Sequence, residues 1–374
     1  MKPENAVSQP MSQLLTPRLH LVAWELTRSC NLLCAHCRGE ATPDSYPDEL
    51  TTAECYRLID QIREVGQPIL ILTGGEPLRR PDFLEIARYA AGKGLRVVMG
   101  TNGTLITEEI AAQLKTVPVT RLGISLDFPR AAEQDEFRGQ AGAYDAALEG
   151  IAHARRAGID IQINSTVTSL NVDYLEDLLA LALEVGAVAF HPFMLVPTGR
   201  GKGLSSVALP PERYEETINW IYDRQKELGD RIFFKPTDAP HYLRVVRQRA
   251  RQDGPPPPAA GGHPTNAITR GCLAGTGFCF VSSRGIVKGC GYLDVPAGSI
   301  KQATFAEVWE NSPLFLRLRD LGNLKGKCGR CEYIRICGGC RARAYEATGD
   351  YLAEEPYCIY EPRARAAAAA EMAD

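Results

Sequence analysis

Between Leu19 and Leu195 the chain alternates short apolar runs with amphipathic ones, and this rhythm restricts its fold more than any other feature. The apolar runs "LHLVAWEL", "ILILT", "LRVVMGT", "RLGISLD", "IDIQINSTVT" and "AVAFHPFMLV" read as strands. The amphipathic stretches near residues 50–65, 82–93, 107–114, 144–157 and 172–185 read as helices. Gly66, Gly94, Gly158 and Gly186 follow four of them, where helices commonly end. Strands separated by helices imply a parallel sheet with crossover connections. Six such strands predict an α/β fold closing as a partial barrel, with its chemistry at the C-terminal ends of the strands. Further along, "PPERYEETINWIYDRQKEL" reads as a helix, "RIFFKP" as a strand and "APHYLRVVRQRARQ" as a helix. The resulting division is a tail at 1–17, a barrel at 18–235, a connecting helix and Pro-rich linker at 236–267, and a cysteine-rich unit at 268–374. The stretch "DGPPPPAAGGHP" has the composition of a linker, and "PRARAAAAAEMAD" reads as a frayed terminal helix.

Composition removes several function classes. Of 374 residues 23% are charged, the net charge is −3 and no basic block occurs, so nothing favours nucleic acid as a partner. No apolar run reaches the roughly 18 residues that a membrane span requires. The opening "MKPENAVSQPMSQLLTP" lacks the apolar core of a secretory signal. A cytoplasmic protein with no membrane partner is expected.

Twelve cysteines are the unusual feature of that composition, and eleven fall into two groups. Reduced cytosolic thiols in clusters are more often metal ligands or redox groups than disulfides. Cys55 stands apart in a helix-like run and reads as a buried structural thiol. The first group is Cys30-x₃-Cys34-x₂-Cys37, directly after the first strand. A zinc site usually needs four ligands. His36 supplies a fourth by composition, although Cys37 beside it crowds the geometry. Three thiolates on a [4Fe–4S] cluster leave one iron open to a substrate or cosubstrate.

With "TGGEP" (Thr73 to Pro77) closing the second strand, the Cys30, Cys34 and Cys37 pattern resembles the radical S-adenosylmethionine (SAM) superfamily. The resemblance implies that the open iron binds the amino and carboxylate groups of SAM. The reduced cluster then splits SAM to methionine and a 5′-deoxyadenosyl radical. Gly74, Gly75, Glu76 and Pro77 correspond to the segment that binds the SAM amino group, and a Glu76 carboxylate suits an ammonium. Thr101 and Asn102 in "TNG" end the third strand near SAM. Ser125 and Asp127 in "SLDF" resemble the Ser and Asp after the fourth strand, with Phe128 in place of the usual Gly. Arg138 in "EFRG" resembles the arginine that pairs with the SAM carboxylate. Asn164 and Thr166 end the fifth strand and Leu195 the sixth, where the cofactor site is lined.

The second group comprises Cys272, Cys279, Cys290, Cys328, Cys331, Cys337, Cys340 and Cys358. It resembles the SPASM extension of radical SAM maturases, with two residues in place of three between Cys337 and Cys340. Eight thiolates divide into two four-ligand sets, or into two zinc sites. The resemblance implies two auxiliary [4Fe–4S] clusters, one on Cys272, Cys279, Cys290 and Cys340, the other on Cys328, Cys331, Cys337 and Cys358. Three clusters in all are thus expected, with the fully ligated auxiliary pair moving electrons.

"VPTGRGK", "APHYLRVVRQRA", "TRGCLAGTGFCFVSSRGIVKGCGYL" and "RARAYEATGDYLAEEPYC" extend the match from Arg18 to Pro362. Together they resemble the heme synthases of the siroheme-dependent pathway. The closing stretch is shared with enzymes of heme d₁ synthesis and of peptide maturation. Maturases would ordinarily carry a peptide-binding domain before the barrel, and about seventeen residues precede the first strand here. The resemblance implies Fe-coproporphyrin III, a tetrapyrrole, as substrate, with an electron donor and an electron acceptor as partners. Two propionates would become vinyl groups. Such a substrate needs apolar walls and carboxylate partners. Arg200, His241, Tyr242 and Arg244 are the candidates in the two barrel-exit stretches. An iron–sulfur electron carrier is the non-enzymatic alternative, and it has no use for the "GGEP" stretch.

Overall fold

The computed structural model describes residues 14–254 and 270–363. The Pro-rich linker and the alanine-rich end fall outside them. The elements run β1 (Leu21–Glu25), α1 (Thr52–Val65), β2 (Ile69–Thr73), α2 (Phe83–Gly92), β3 (Arg96–Thr101), α3 (Glu108–Thr116), β4 (Arg121–Ser125), α4 (Ala131–Arg138) and α5 (Ala143–Arg156). They continue with β5 (Asp160–Val167), α6 (Leu175–Glu184), β6 (Ala189–Met194), α7 (Pro211–Leu228), β7 (Phe233–Phe234) and α8 (His241–Asp253). The cysteine-rich part adds β8 (Phe278–Val281), β9 (Ile286–Lys288), β10 (Pro296–Ser299), α9 (Phe305–Asn311), α10 (Pro313–Arg319), α11 (Gly326–Arg330) and α12 (Arg341–Thr348).

All six expected barrel strands are present, each within its expected stretch. Within the barrel one helix was not legible, and the short helices α9 to α12 of the cysteine-rich unit were not expected either. α4 is dominated by charged residues and buries only Gln134, Phe137 and Arg138, so its apolar stripe is too thin to show a period. Of the four helix-ending glycines, Gly94, Gly158 and Gly186 take a left-handed backbone, with φ between 67° and 78°. Gly66 is extended instead, with φ 171°.

The sheet holds ten strands in the order β10-β9-β8-β1-β2-β3-β4-β5-β6-β7. β8 pairs parallel with β1, and β1 to β7 continue in parallel. The cysteine-rich unit is therefore continuous with the barrel sheet, and β9 and β10 extend it as an antiparallel ribbon. Alternation along the strands sorts the side chains. On β1, Val22 and Trp24 are fully buried beneath the helices, while Leu21 and Ala23 face the barrel interior. The outer layer packs α1, α2 and their neighbours against the sheet in one large apolar core.

Candidate active site

The cysteine loop leaves β1 at its C-terminal end. Cys30 N–H donates to Thr42 O (2.8 Å), and the carbonyl of Cys34 receives the N–H of Cys37 (3.2 Å). Cys30 and Cys34 are buried and Cys37 is half-buried. Each sulfur receives a donor. Leu32 N–H and Asn102 Nδ2 reach Cys30 Sγ (3.4 and 3.8 Å), Ala41 N–H reaches Cys37 Sγ (3.4 Å), and Arg138 Nη1 reaches Cys34 Sγ (3.8 Å). Burial, with Glu76, Cys34 and Cys37 acting in the same direction, pushes the Cys30 thiol up to about 12. Buried thiols furnished with N–H donors suit thiolates held by a cationic iron–sulfur cluster. Among the described residues no three His, Cys, Asp or Glu side chains draw together as a single-ion site.

Gly74 and Gly75 close β2 against the chain leading into this loop. Gly75 N–H donates to Thr27 O (2.6 Å) and Glu76 N–H to Ser29 O (2.8 Å). A Cβ on either glycine would lie 2.4 Å from a carbonyl oxygen, of Thr27 or Ser29 respectively. The glycines are thus required for contact between β2 and the residues just before Cys30.

Glu76 departs from its expected role. Its carboxylate is fully buried and does not line the cavity. It accepts from Thr101 Oγ1 (2.8 Å), Asn102 N–H (2.8 Å) and Leu78 N–H (3.2 Å), tying β2 to β3. Pro77 starts the short turn after it and is also buried. Asp127 is likewise turned inward. It pairs with Arg138 and accepts the N–H of Thr166 (2.7 Å). Arg138 keeps a face on the cavity while bridging Asp127 to Cys34. Phe128 needs no left-handed backbone, because Gln134 Oε1 accepts the N–H groups of both Asp127 and Phe128. Leu195 lies outside the cavity wall, and its carbonyl accepts from Arg343 Nη2 (3.3 Å).

One cavity of about 1420 Å³ joins the barrel interior to the cysteine-rich unit. It is lined by Cys30, Cys34 and Cys37, by Gly74, Gly75, Thr101, Asn102, Ser125, Arg138, Asn164 and Thr166, and by Cys272, Cys290 and Cys340. That volume exceeds an ordinary small-ligand pocket and has room for a cosubstrate beside a larger substrate.

The expected four-thiol set on this cavity has only three members in place. Cys279 sits on β8 opposite Val22, whose side chain faces the outer core, whereas its neighbours Phe278 and Phe280 face the cavity. Alternation therefore turns Cys279 away. Burial alone raises its thiol, whereas Cys290 is raised also by Cys340 and Cys272. Four thiols converge on one pocket in the other set only. There Cys328, Cys331, Cys337 and Cys358 line one small pocket. Tyr333, Gly339 and Glu355 N–H groups each donate to a sulfur of that set, at 3.4 Å. Gly338 and Gly339 take φ of 75° and 62°, a double left-handed turn that only glycine makes easily. This turn sends Cys337 to the small pocket and Cys340 to the large one.

Three of the four substrate candidates lie elsewhere. Arg200 donates to Cys34 O (3.0 Å) and Ala41 O (2.8 Å), so it clamps the cysteine loop from behind. His241 and Arg244 border the small pocket beside the second thiol set. Burial holds His241 down to about 4, against the pull of Glu355. Arg244 pairs with Glu215. Only Tyr242 reaches the large cavity.

The radical SAM superfamily model matches residues 24–182, and an iron–sulfur cluster-binding domain model, SPASM, matches residues 272–341. An AdoMet-dependent heme synthase of Methanosarcina barkeri is 52% identical over 93% of this chain and 98% of its own length. The chain belongs to the radical SAM/SPASM family, in the group of AdoMet-dependent heme synthases. A second member, from Nitratidesulfovibrio vulgaris, is 49% identical over 93% of this chain and 94% of its own length. The fold of the family is shared by Streptococcus suis SuiB bound to S-adenosylmethionine, with a TM-score of 0.71, 15% identity, and coverage of 91% of this chain and 77% of SuiB. This radical SAM/SPASM enzyme thus uses SAM and [4Fe–4S] clusters. No helix among its described residues is long and apolar enough to cross a membrane.

Proposed function

We propose that this enzyme converts two propionates of Fe-coproporphyrin III to vinyl groups, giving heme b, with three [4Fe–4S] clusters. The observation that carries the reading is the single cavity bordered at one end by Cys30, Cys34 and Cys37 and at the other by Cys272, Cys290 and Cys340. One bound macrocycle can face both ends. The near-50% identity to named heme synthases, spread over nearly the whole chain, supports the same choice.

Cys30, Cys34 and Cys37 would hold the cluster that supplies the electron for splitting SAM, and the cysteine-rich unit would hold those able to take up the electron that the substrate gives up. Hydrogen abstraction from the propionate carbon next to the ring, followed by loss of CO₂ and one electron, leaves the vinyl group. The chain's own task is positional. Gly74 and Gly75 hold the end of β2 against the cysteine loop, Asn102 and Arg138 donate to ligand sulfurs, and the apolar wall of Ile71, Phe278 and Phe280 keeps water from the radical.

Reduced enzyme with SAM and Fe-coproporphyrin III should yield a porphyrin lighter by two CO₂ and four hydrogens, with 5′-deoxyadenosine formed alongside. Deuterium at the ring-adjacent propionate carbons should appear in the 5′-deoxyadenosine. Vinyl formation with all label retained in the porphyrin would refute the abstraction step. Turnover of a peptide and none of the porphyrin would move the enzyme to the maturases.

A further inference from the structure

Arg200 holds the cysteine loop, Arg244 pairs with Glu215 and His241 lies on the small pocket, yet a tetrapyrrole that keeps two propionates in its product still needs partners for them. Basic side chains of another origin line the cavity. Arg121 opens β4 and faces the interior, His191 does so from β6, and Lys235 follows β7. Phe234, the residue before Lys235, pairs with Phe190, the residue before His191, so Lys235 and His191 are neighbours across the two strands.

Their own environment leaves them under-compensated. Arg121 is only 7% exposed, and its one ion-pair partner is the half-exposed Asp160 at 3.9 Å. The Nε of Arg121 and the Nε2 of His191 are buried with no hydrogen-bond partner. No acidic group among the described residues pairs with the Lys235 ammonium. Burial lowers both Arg121 and Lys235, and both cations in turn help hold His191 neutral. A buried cation without a close counter-charge, as Arg121 is, is costly and is ordinarily paired. Nothing in this enzyme's radical chemistry calls for them.

Their position is also informative. Arg121 and Ser125 bound the same strand, four residues apart, which separates Arg121 from the thiol end by about 13 Å along the strand. His191 lies level with Ser125 through Asn164, so the three basic side chains descend from the cofactor end into the barrel. A flat macrocycle presenting one edge to the radical would project its opposite edge there.

The geometry points to a carboxylate-binding site on the inner barrel wall, formed by Arg121, His191 and Lys235, that holds the propionates the product retains. This rests on the reading of the substrate as Fe-coproporphyrin III. The site sets which edge of the ring faces the thiol end. Arg121 and Lys235 are positioning residues for the reaction rather than participants in it.

The test is absorbance titration of the cluster-loaded enzyme with Fe-coproporphyrin III and, in parallel, with its uncharged tetramethyl ester. Lys235→Gln and Arg121→Gln should each weaken binding of the free acid about tenfold or more, the effect of one lost charge-assisted hydrogen bond. Binding of the ester should change little. Lys235→Arg should bind like the wild type, and iron content and SAM cleavage without porphyrin should stay unaltered in all variants. Lys235 is half-buried, so its variants remain informative even where Arg121→Gln fails to fold. Unchanged free-acid affinity in Lys235→Gln, or equal losses for acid and ester, overturns the site while leaving the substrate assignment standing. A wild type that binds neither porphyrin overturns the assignment and the site together.

Discussion

Arg343 and Glu355 form an ion pair at 3.2 Å with both side chains withdrawn from solvent, at 2% and 0% exposure. The guanidinium also donates to the carbonyls of Met194, Leu195 and Asp238, and the carboxylate accepts the N–H of Cys340. One pair therefore joins the end of β6, the entry to α8 and the start of α12, where the two thiol sets meet. Removing one partner strands a buried charge, at a cost of about 3–5 kcal/mol. Arg343→Met should lower the denaturation midpoint accordingly, and adding Glu355→Gln to it should recover part of the loss. A double variant as unstable as the sum of the two singles would show that the pair is not coupled.

The first auxiliary thiol set is predicted to depend on Cys272, Cys290 and Cys340, and not on Cys279. Alanine at Cys279 removes one sulfur from the outer core, costing on the order of 1 kcal/mol. Iron content should remain that of the wild type. Alanine at Cys290 or Cys340 should remove about a third of the iron, one four-iron cluster of three. Iron lost from Cys279→Ala to the same extent would return that residue to the ligand set.

Glu76 should give the cluster-free protein a recognisable pH dependence. Burial pushes its carboxyl up to about 7, opposed by donors from Asn102, Thr101 and Leu78. Its unfolded value is near ~4.3. Folding therefore takes up a proton here, so the contribution is fully present below about 4.3 and is lost as pH rises to about 7. Denaturation curves across that window should show stability falling through it in the wild type. Glu76→Gln should remove this component, and an identical slope in the variant would contradict the assignment.

How far the sequence led depends on what each residue's role rested on. The barrel strands were legible because their apolar runs are distinct and bounded by glycine, and Cys30, Cys34 and Cys37 because three thiols in eight residues have few uses. β8 escaped notice as a strand, although "FCFV" and "IVK" flank a Ser-Ser-Arg-Gly turn that marks a hairpin. The family resemblance put Cys279 with the cavity thiols, and only strand alternation shows that its sulfur points to the outer core. Arg121, His191 and Lys235 were invisible as a set. They are far apart in sequence, carry no motif, and come to one cavity only because the barrel curls. The charged exit residues failed for the opposite reason. Arg200 and Arg244 stand in conspicuous motifs, but their charges are spent on backbone carbonyls and on Glu215.

Arg200 gives the last prediction, and it separates loop support from substrate binding. Its N–H donates to Cys37 O (3.1 Å), and its side chain holds the carbonyls of Cys34 and Ala41, so three of its contacts fall on the cysteine loop. Gly199 before it has φ 53°, and a Cβ there would lie 2.3 Å from Arg38 O. The approach of this segment to the loop is therefore close and fixed. Arg200→Ala removes two charged hydrogen bonds to carbonyls, each worth roughly 1.5–3 kcal/mol. The loss should appear as slower SAM cleavage and easier release of iron from the Cys30, Cys34 and Cys37 site on chelation. Affinity for Fe-coproporphyrin III should hold within about twofold, well inside the tenfold expected for a lost propionate contact. A tenfold loss of porphyrin affinity with normal SAM cleavage would place Arg200 on the substrate instead.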